Sequence, residues 1–155
     1  MYTLRFDGGS RGNPGPSGAG CVLYSPHSDV PIAQDSKFLG HASNNEAEYK
    51  ALINGFVLAS QFSEIKNLHV EGDSMLVIKQ VTGEWRVHSP NLIPLHKLAK
   101  ENLALFESIT FQHIPRKNNW VADKLANDAM DANPPKLFAS ARVFGKINTT
   151  TLYLI

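Results

Sequence analysis

The sequence predicts an α/β domain built on a mixed β-sheet. Three observations predict it: three strand-like runs follow one another at the N-terminus, the apolar spacing turns helical at Ser43, and helical and strand-like segments alternate from there on. The first run is YTLRF, which ends on Asp7. The second is AGCVLY and the third lies near PIAQDSKFLG; glycine, proline and serine separate them, which favours antiparallel hairpins or a meander. The helical pattern that begins at Ser43 holds to about Phe62. Ser43, Asn44 and Asn45 are good helix caps, and Glu46 stands three positions past Ser43, the spacing of a capping box. KNLHVEG is the fourth strand. Asp73 to Val81 is a short helix stopped at Gly83, and the turn-rich stretch GEWRVHSPN follows it. Leu92 to Phe106 is helical, SITFQHI is the fifth strand, and Asn119 to Met130 forms the last helix. Pro134-Pro135 marks a boundary. Residues 1–131 are thus read as the domain and 132–155 as a C-terminal extension, expected to dock on it, whose TTTLYLI has a strand-like composition without an evident partner.

The chain is 155 residues long, the size of one domain, and buries a core without staples. Its single cysteine, Cys21, excludes an internal disulfide framework and suits a reducing compartment. Apolar runs are short and broken by charges, and the first residues lack signal-peptide architecture, so the expectation is a protein of the cytoplasm or nucleus with no membrane partner; a monomer is expected as well. A formal net charge of +1 gives no compositional argument for nucleic acid.

Residues 7 to 18 read DGGSRGNPGPSG, with five glycines and two prolines directly behind the first strand. A phosphate cradle of the P-loop kind is excluded by the absence of Gly-Lys-Ser/Thr and of a following helix. An ordinary hairpin turn accounts for Asn-Pro-Gly-Pro but not for Asp7, a carboxylate flanked by two glycines at a strand end. Other acids bear on it. On the helix from Ser43, Lys50, Asn54, Val57 and Gln61 cluster on one side and Leu52, Gly55 and Ala59 on the other; Glu48 falls on the apolar side, Glu46 with the polar group in a capping or solvated role. An ionised carboxylate on a core-facing stripe is costly unless it is paired or binds a cation. Asp73 stands where strand gives way to helix, where an N-cap is the plain alternative. Asp123 borders the stripe of Ala122, Ala126 and Ala129, where a surface ion pair is the default.

The blocks DGGSRGNPGPSGAG, SNNEAEYKALINGF, EGDSMLVIKQVTGEW and HIPRKNNWVADKLANDA resemble ribonuclease H of type 1, in order and at the usual separations, over about Tyr2 to Asp131. The resemblance implies a five-stranded mixed sheet, its first three strands antiparallel, with helices on both faces. It implies hydrolysis of the RNA strand of an RNA/DNA hybrid with Mg²⁺, for which Mn²⁺ substitutes, leaving 5′-phosphate and 3′-hydroxyl ends. By carry-over, Asp7, Glu48, Asp73 and Asp123 hold the metal, and Gly8, Asn13, Ser43, Asn44 and Asn45 meet the hybrid.

The chemistry needs such residues. Phosphodiester hydrolysis requires an activated water and a leaving oxygen relieved of charge, and a pair of cations serves both. Clustered carboxylates suit Mg²⁺, which prefers oxygen ligands. The histidines are scattered and Cys21 is alone, so no zinc set competes. The 2′-hydroxyl distinguishes ribose, and amide groups such as those of Asn44 and Asn45 hydrogen-bond it. The glycines after Asp7 are expected to leave room for metal and scissile phosphate.

Departures from the family pattern also matter. GEWRVHSPNLIPLHKLAK stands where many members carry a longer basic protrusion, and no hybrid-binding domain precedes Tyr2; both predict weak, salt-sensitive binding. The loop histidine of many relatives has no counterpart between Ile114 and Ala122, and Arg116 matches the arginine that compact members use there, while His113 is assigned to the strand. The alternatives are a catalytically weak hybrid-binding module and a metal-dependent DNA nuclease of the wider superfamily.

Overall fold

The structure, a computed structural model, describes residues 1–132 and 142–143. Strands β1 (Tyr2–Ser10), β2 (Gly15–Tyr24) and β3 (Pro31–Ala42) are antiparallel neighbours; β4 (Asn67–Gly72) lies parallel to β1 on its other side and β5 (Ser108–His113) parallel to β4. This is the expected five-stranded mixed sheet. A two-residue strand, β6 (Arg142–Val143), adds to the outer edge of β3 opposite Gln34 and Ala33, giving the order β5-β4-β1-β2-β3-β6. Pro134-Pro135 and the TTTLYLI segment lie outside the described residues.

Helix α1 (Asn44–Ser60) covers one face of the sheet, followed by α2 (Met75–Val81) and α3 (Ile93–Asn102); α4 (Trp120–Asp131) covers the other. The expected capping box starts α1: the Ser43 hydroxyl accepts the Glu46 N–H at 3.1 Å and the Glu46 carboxylate accepts the Ser43 N–H at 3.0 Å. The two-sided reading of α1 needs correction, because Asn54, assigned to the polar side, is 2% exposed. The sheet lies on one side of α1 and α2 and α3 on the other, so the helix is buried nearly all round. Leu4, Phe6, Leu23, Leu52, Phe56, Leu68, Val70 and Val77 form the core on this face. Apart from it, α4 buries a small cluster of Val22, Tyr24, Ala122 and Leu125.

The glycine-rich stretch is not a long loop. β1 runs on to Ser10 and β2 begins at Gly15, so only residues 11–14 turn, with Gly12 at φ +92°. Three glycines here make room for helix rather than for ligand, while Gly9, which lines a groove, would meet only the tip of Met130 at 3.3 Å. A Cβ on Gly8 would sit 2.2 Å from the Ala47 backbone of α1, and Cβ atoms on Gly18 and Gly20 would sit 2.4 and 2.3 Å from the carbonyl oxygens of Ala126 and Ala122 in α4. What comes close to this backbone is helix, on both faces. The close approach sets how far Glu48 and Asp123 stand from the sheet. Gly20→Ala is therefore expected to push α4 outward, costing about 1–3 kcal/mol and displacing Asp123. Thermal unfolding would show a lowered transition, with activity reduced even well below it; a wild-type melting curve would contradict the close packing.

Candidate active site

The site forms at the C-terminal ends of the parallel pair β1 and β4. Asp7 lies on β1, 7% exposed, and Asp73 directly follows β4. Glu48 comes from the second turn of α1, which the Gly8 contact presses onto β1. One carboxylate oxygen from each of Asp7, Glu48 and Asp73 lies within 4.8 Å of the other two. The N–H of Gly8 donates to Glu48 Oε1 at 2.8 Å. Asp73 is not a helix cap: the Ser74 hydroxyl accepts the Val77 N–H and takes that role, leaving the Asp73 carboxylate to the site. Asp123 is outside the group of three but within hydrogen-bonding reach of Asp7, and Arg116 Nη2 donates to its Oδ1 at 3.3 Å.

The electrostatics follow from this crowding. Burial, then the charges of Glu48 and Asp73 and the hydrogen bond to Asp123, push the Asp7 carboxyl up to about 10. Glu48 is also held well above the usual carboxylate range, chiefly by burial and by Asp73, although the Gly8 N–H and Arg116 pull the other way. Buried carboxylates that repel one another gain most from a bound cation. The donor set is all oxygen, as Mg²⁺ or Mn²⁺ requires. These residues therefore fit a divalent metal.

A groove of about 550 Å³ opens over the acids, its walls including Arg11, Asn44, Asn45, His113, Arg116 and Asn127. On the α1 side, Asn13 Oδ1 accepts the Asn44 N–H at 2.9 Å and Asn44 Oδ1 accepts the Ser10 N–H at 2.7 Å. Both partners are backbone donors, so the carbonyl oxygens of the two amides must face inward. Their NH₂ groups have no protein acceptor among the described residues. Ser43 and Gly8 have their polar groups engaged within the protein, in the cap and at Glu48.

Two features escape the sequence reading. His113 does end β5, yet it lines the groove, with Nε2 3.2 Å from the Asp73 carbonyl oxygen; a carbonyl only accepts, so Nε2 carries the proton. The parallel register, which pairs Gly72 with His113, puts it there. Trp85 is 48% exposed in a second groove shared with Asn45, Arg86 and His88. Its segment is fastened by Trp85 N–H to Lys79 O at 3.0 Å and by Gln80 Nε2 to Arg86 O at 3.1 Å, while the Tyr49 hydroxyl donates to Gln80 Oε1 at 2.6 Å.

Residues 5–129 match the family model described as reverse transcriptase-like. The chain is 43% identical over 126 residues to ribonuclease HI of Halobacterium salinarum, covering 81% of this chain and 62% of that protein. The solved structure of that organism's RNase H1 superposes with a TM-score of 0.80 at 42% identity, covering 84% of this chain and 97% of the other. The chain belongs to the type 1 ribonuclease H family. The N-terminal RNase H domain of a Mycobacterium tuberculosis protein, solved as a fusion with maltose-binding protein, gives a TM-score of 0.81 at 40% identity, covering 84% and 94% of the two chains. LC11-RNase H1, solved in complex with an RNA/DNA hybrid, gives 0.76 at 31% identity, with 84% and 97% covered. This ribonuclease H chain spans 38% of the bifunctional M. tuberculosis protein it matches and 62% of the H. salinarum enzyme. Among the described residues no helix is long and apolar enough to cross a membrane.

Proposed function

We propose that this ribonuclease H chain binds an RNA/DNA hybrid as a monomer and hydrolyses its RNA strand, leaving 5′-phosphate and 3′-hydroxyl ends. The observation that carries the reading is the convergence of Asp7, Glu48 and Asp73 within 4.8 Å at the floor of an open groove. A relative of the same fold, LC11-RNase H1, has been solved with a hybrid bound. Asp7, Glu48, Asp73 and Asp123 would hold two divalent ions, Mg²⁺ or Mn²⁺, which when bound supply the charge that activates a water and relieves the leaving oxygen.

The protein's own groups do the rest. Gly8 and the α1 backbone hold Glu48, and Ser74, by capping α2, leaves Asp73 unspent. His113 steadies the Asp73 backbone through its carbonyl. Arg116, beside Asp123 and within the field of Glu48, offers a fork of donors to the phosphate. Asn13 and Asn44, their carbonyl ends committed, present NH₂ donors to acceptors of the minor groove, where the 2′-hydroxyl marks the RNA strand. Exposed Trp85 beside Asn45 gives an apolar platform suited to deoxyribose, the sugar without that hydroxyl.

The test is a labelled RNA/DNA hybrid, an RNA duplex and a DNA duplex, each incubated with Mg²⁺ or Mn²⁺. Cleavage is expected in the RNA strand of the hybrid alone, with affinity falling steeply as salt rises. Comparable cutting of the DNA duplex would overturn the substrate assignment, and binding without cutting would leave only a hybrid-binding module.

A further inference from the structure

We propose that Arg11 is a second phosphate-binding guanidinium of the groove, held in waiting by Asp131 and released to a phosphate that neighbours the scissile one. The inference rests on the hybrid reading above. Arg11 begins the turn between β1 and β2, where its N–H donates to Pro16 O at 2.9 Å and fixes the backbone. Its side chain crosses to α4, pairing through Nη1 with Asp131 and through Nη2 with Asn127 Oδ1 at 3.3 Å. A guanidinium has five N–H donors. Three of them therefore have no partner among the described residues, and the group lines the same groove as the acids.

The clasp is weakly held. The side chains of Arg11 and Asp131 are 47% and 62% exposed, and such surface pairs contribute little. Asp131 is also the last residue of α4, where the helix dipole disfavours a carboxylate. A phosphate offers a guanidinium two oxygens where Asp131 takes a single N–H, with less competition from water once the duplex covers the groove. Position favours a phosphate next to the scissile one rather than the scissile phosphate itself. Arg11 lies one residue beyond the end of β1 and four beyond Asp7, so at about 3.3 Å per residue its Cα is roughly 13 Å from that of Asp7. Two guanidinium groups line the groove, Arg116 beside Asp123 and Arg11 against Asp131 and Asn127, so one charged strand lying in it would meet both.

Steady-state cleavage of a hybrid by the wild type, Arg11→Gln and Asp131→Asn, at several salt concentrations, tests this. Arg11→Gln is expected to raise KM about tenfold, with a smaller effect on kcat, and to reduce the salt slope by about 1. Asp131→Asn, which frees the guanidinium, is expected to lower KM. A neutral methylphosphonate placed at successive linkages of the RNA strand should abolish the difference between wild type and Arg11→Gln at one position away from the cut. If both variants instead lower the melting temperature and shift KM in the same direction, Arg11 is only a clasp between the turn and α4. If no single linkage absorbs the effect, the phosphate contact is likewise refuted. A wild type that leaves the hybrid intact would refute the reading of the whole site, an outcome distinct from either.

Discussion

Replacing Asp7 by Asn abolishes cleavage and at the same time raises the melting temperature of the metal-free protein. Carboxylate oxygens from three residues lie within 4.8 Å of one another around a side chain that is 7% exposed. At an effective dielectric near 20, each ionised pair at that distance repels by about 3 kcal/mol, an upper bound because the site takes up protons instead. That uptake sets the pH dependence. The folded-state pKa of Asp7 is pushed from its ordinary 3.8 to about 10. The folded protein therefore holds a proton that the unfolded chain releases, and stability that is complete below pH 3.8 declines as pH rises toward 10. The Asn side chain keeps the shape without the charge. Its advantage should be absent near pH 4, grow through neutrality to about 4 °C in melting temperature, and be measured in the presence of a chelator. Mg²⁺ should stabilise the wild type more than the variant, since the ion binds the folded state alone. A variant that melts below the metal-free wild type at pH 8 would contradict the picture of crowded acids.

Arg116→Ala lowers turnover by roughly ten- to a thousandfold, with little change in KM. Arg116 sits on a 3-10 turn (Arg116–Asn119) just before α4, its side chain 79% exposed yet 3.3 Å from Asp123 and close enough to Glu48 to lower that group's pKa. A guanidinium does not take a proton from water at neutral pH, so it cannot serve as the base. Two parallel hydrogen bonds to the phosphate, strengthening as charge develops, are what it offers. Arg116→Lys should recover only part of the loss, because a point charge lacks the fork. Lys117→Ala, one residue on, should instead raise KM and flatten the salt dependence. If Arg116→Ala and Lys117→Ala give the same modest rise in KM with turnover intact, Arg116 belongs to the electrostatic surface alone.

What was legible in the sequence was whatever periodicity and local chemistry encode. The strands, the start of α1 at Ser43 with Glu46 as its capping partner, and the suspicion falling on Glu48 all come from patterns a few residues long. The misreadings share one cause, dependence on what packs from far away in the chain. The glycines of β1 and β2 read as an open loop because nothing local reveals that Ala47, Ala122 and Ala126 press against them. Asn54 read as polar surface because a helix wheel cannot show that α1 is covered on both sides. His113 is legible as the end of a strand, and only the pairing of β5 with β4 brings it to Asp73. Trp85 lay in a stretch that composition marked as turns, and the exposure of its ring depends on the tertiary fold.

The acids reach the site from β1, α1, the end of β4 and α4, spanning residues 7 to 123, and Asn119, 1% exposed, ties the start of α4 to β1 by donating to Phe6 O at 2.9 Å. An assembly that draws on nearly the whole described chain is expected to form late as the chain folds, since closing long loops must precede its contacts. Its repulsion would then be absent from the folding transition state and present in the native state. Divalent ions should accordingly leave the refolding rate nearly untouched and slow unfolding, so that a bound metal would act as a kinetic lock on the finished fold.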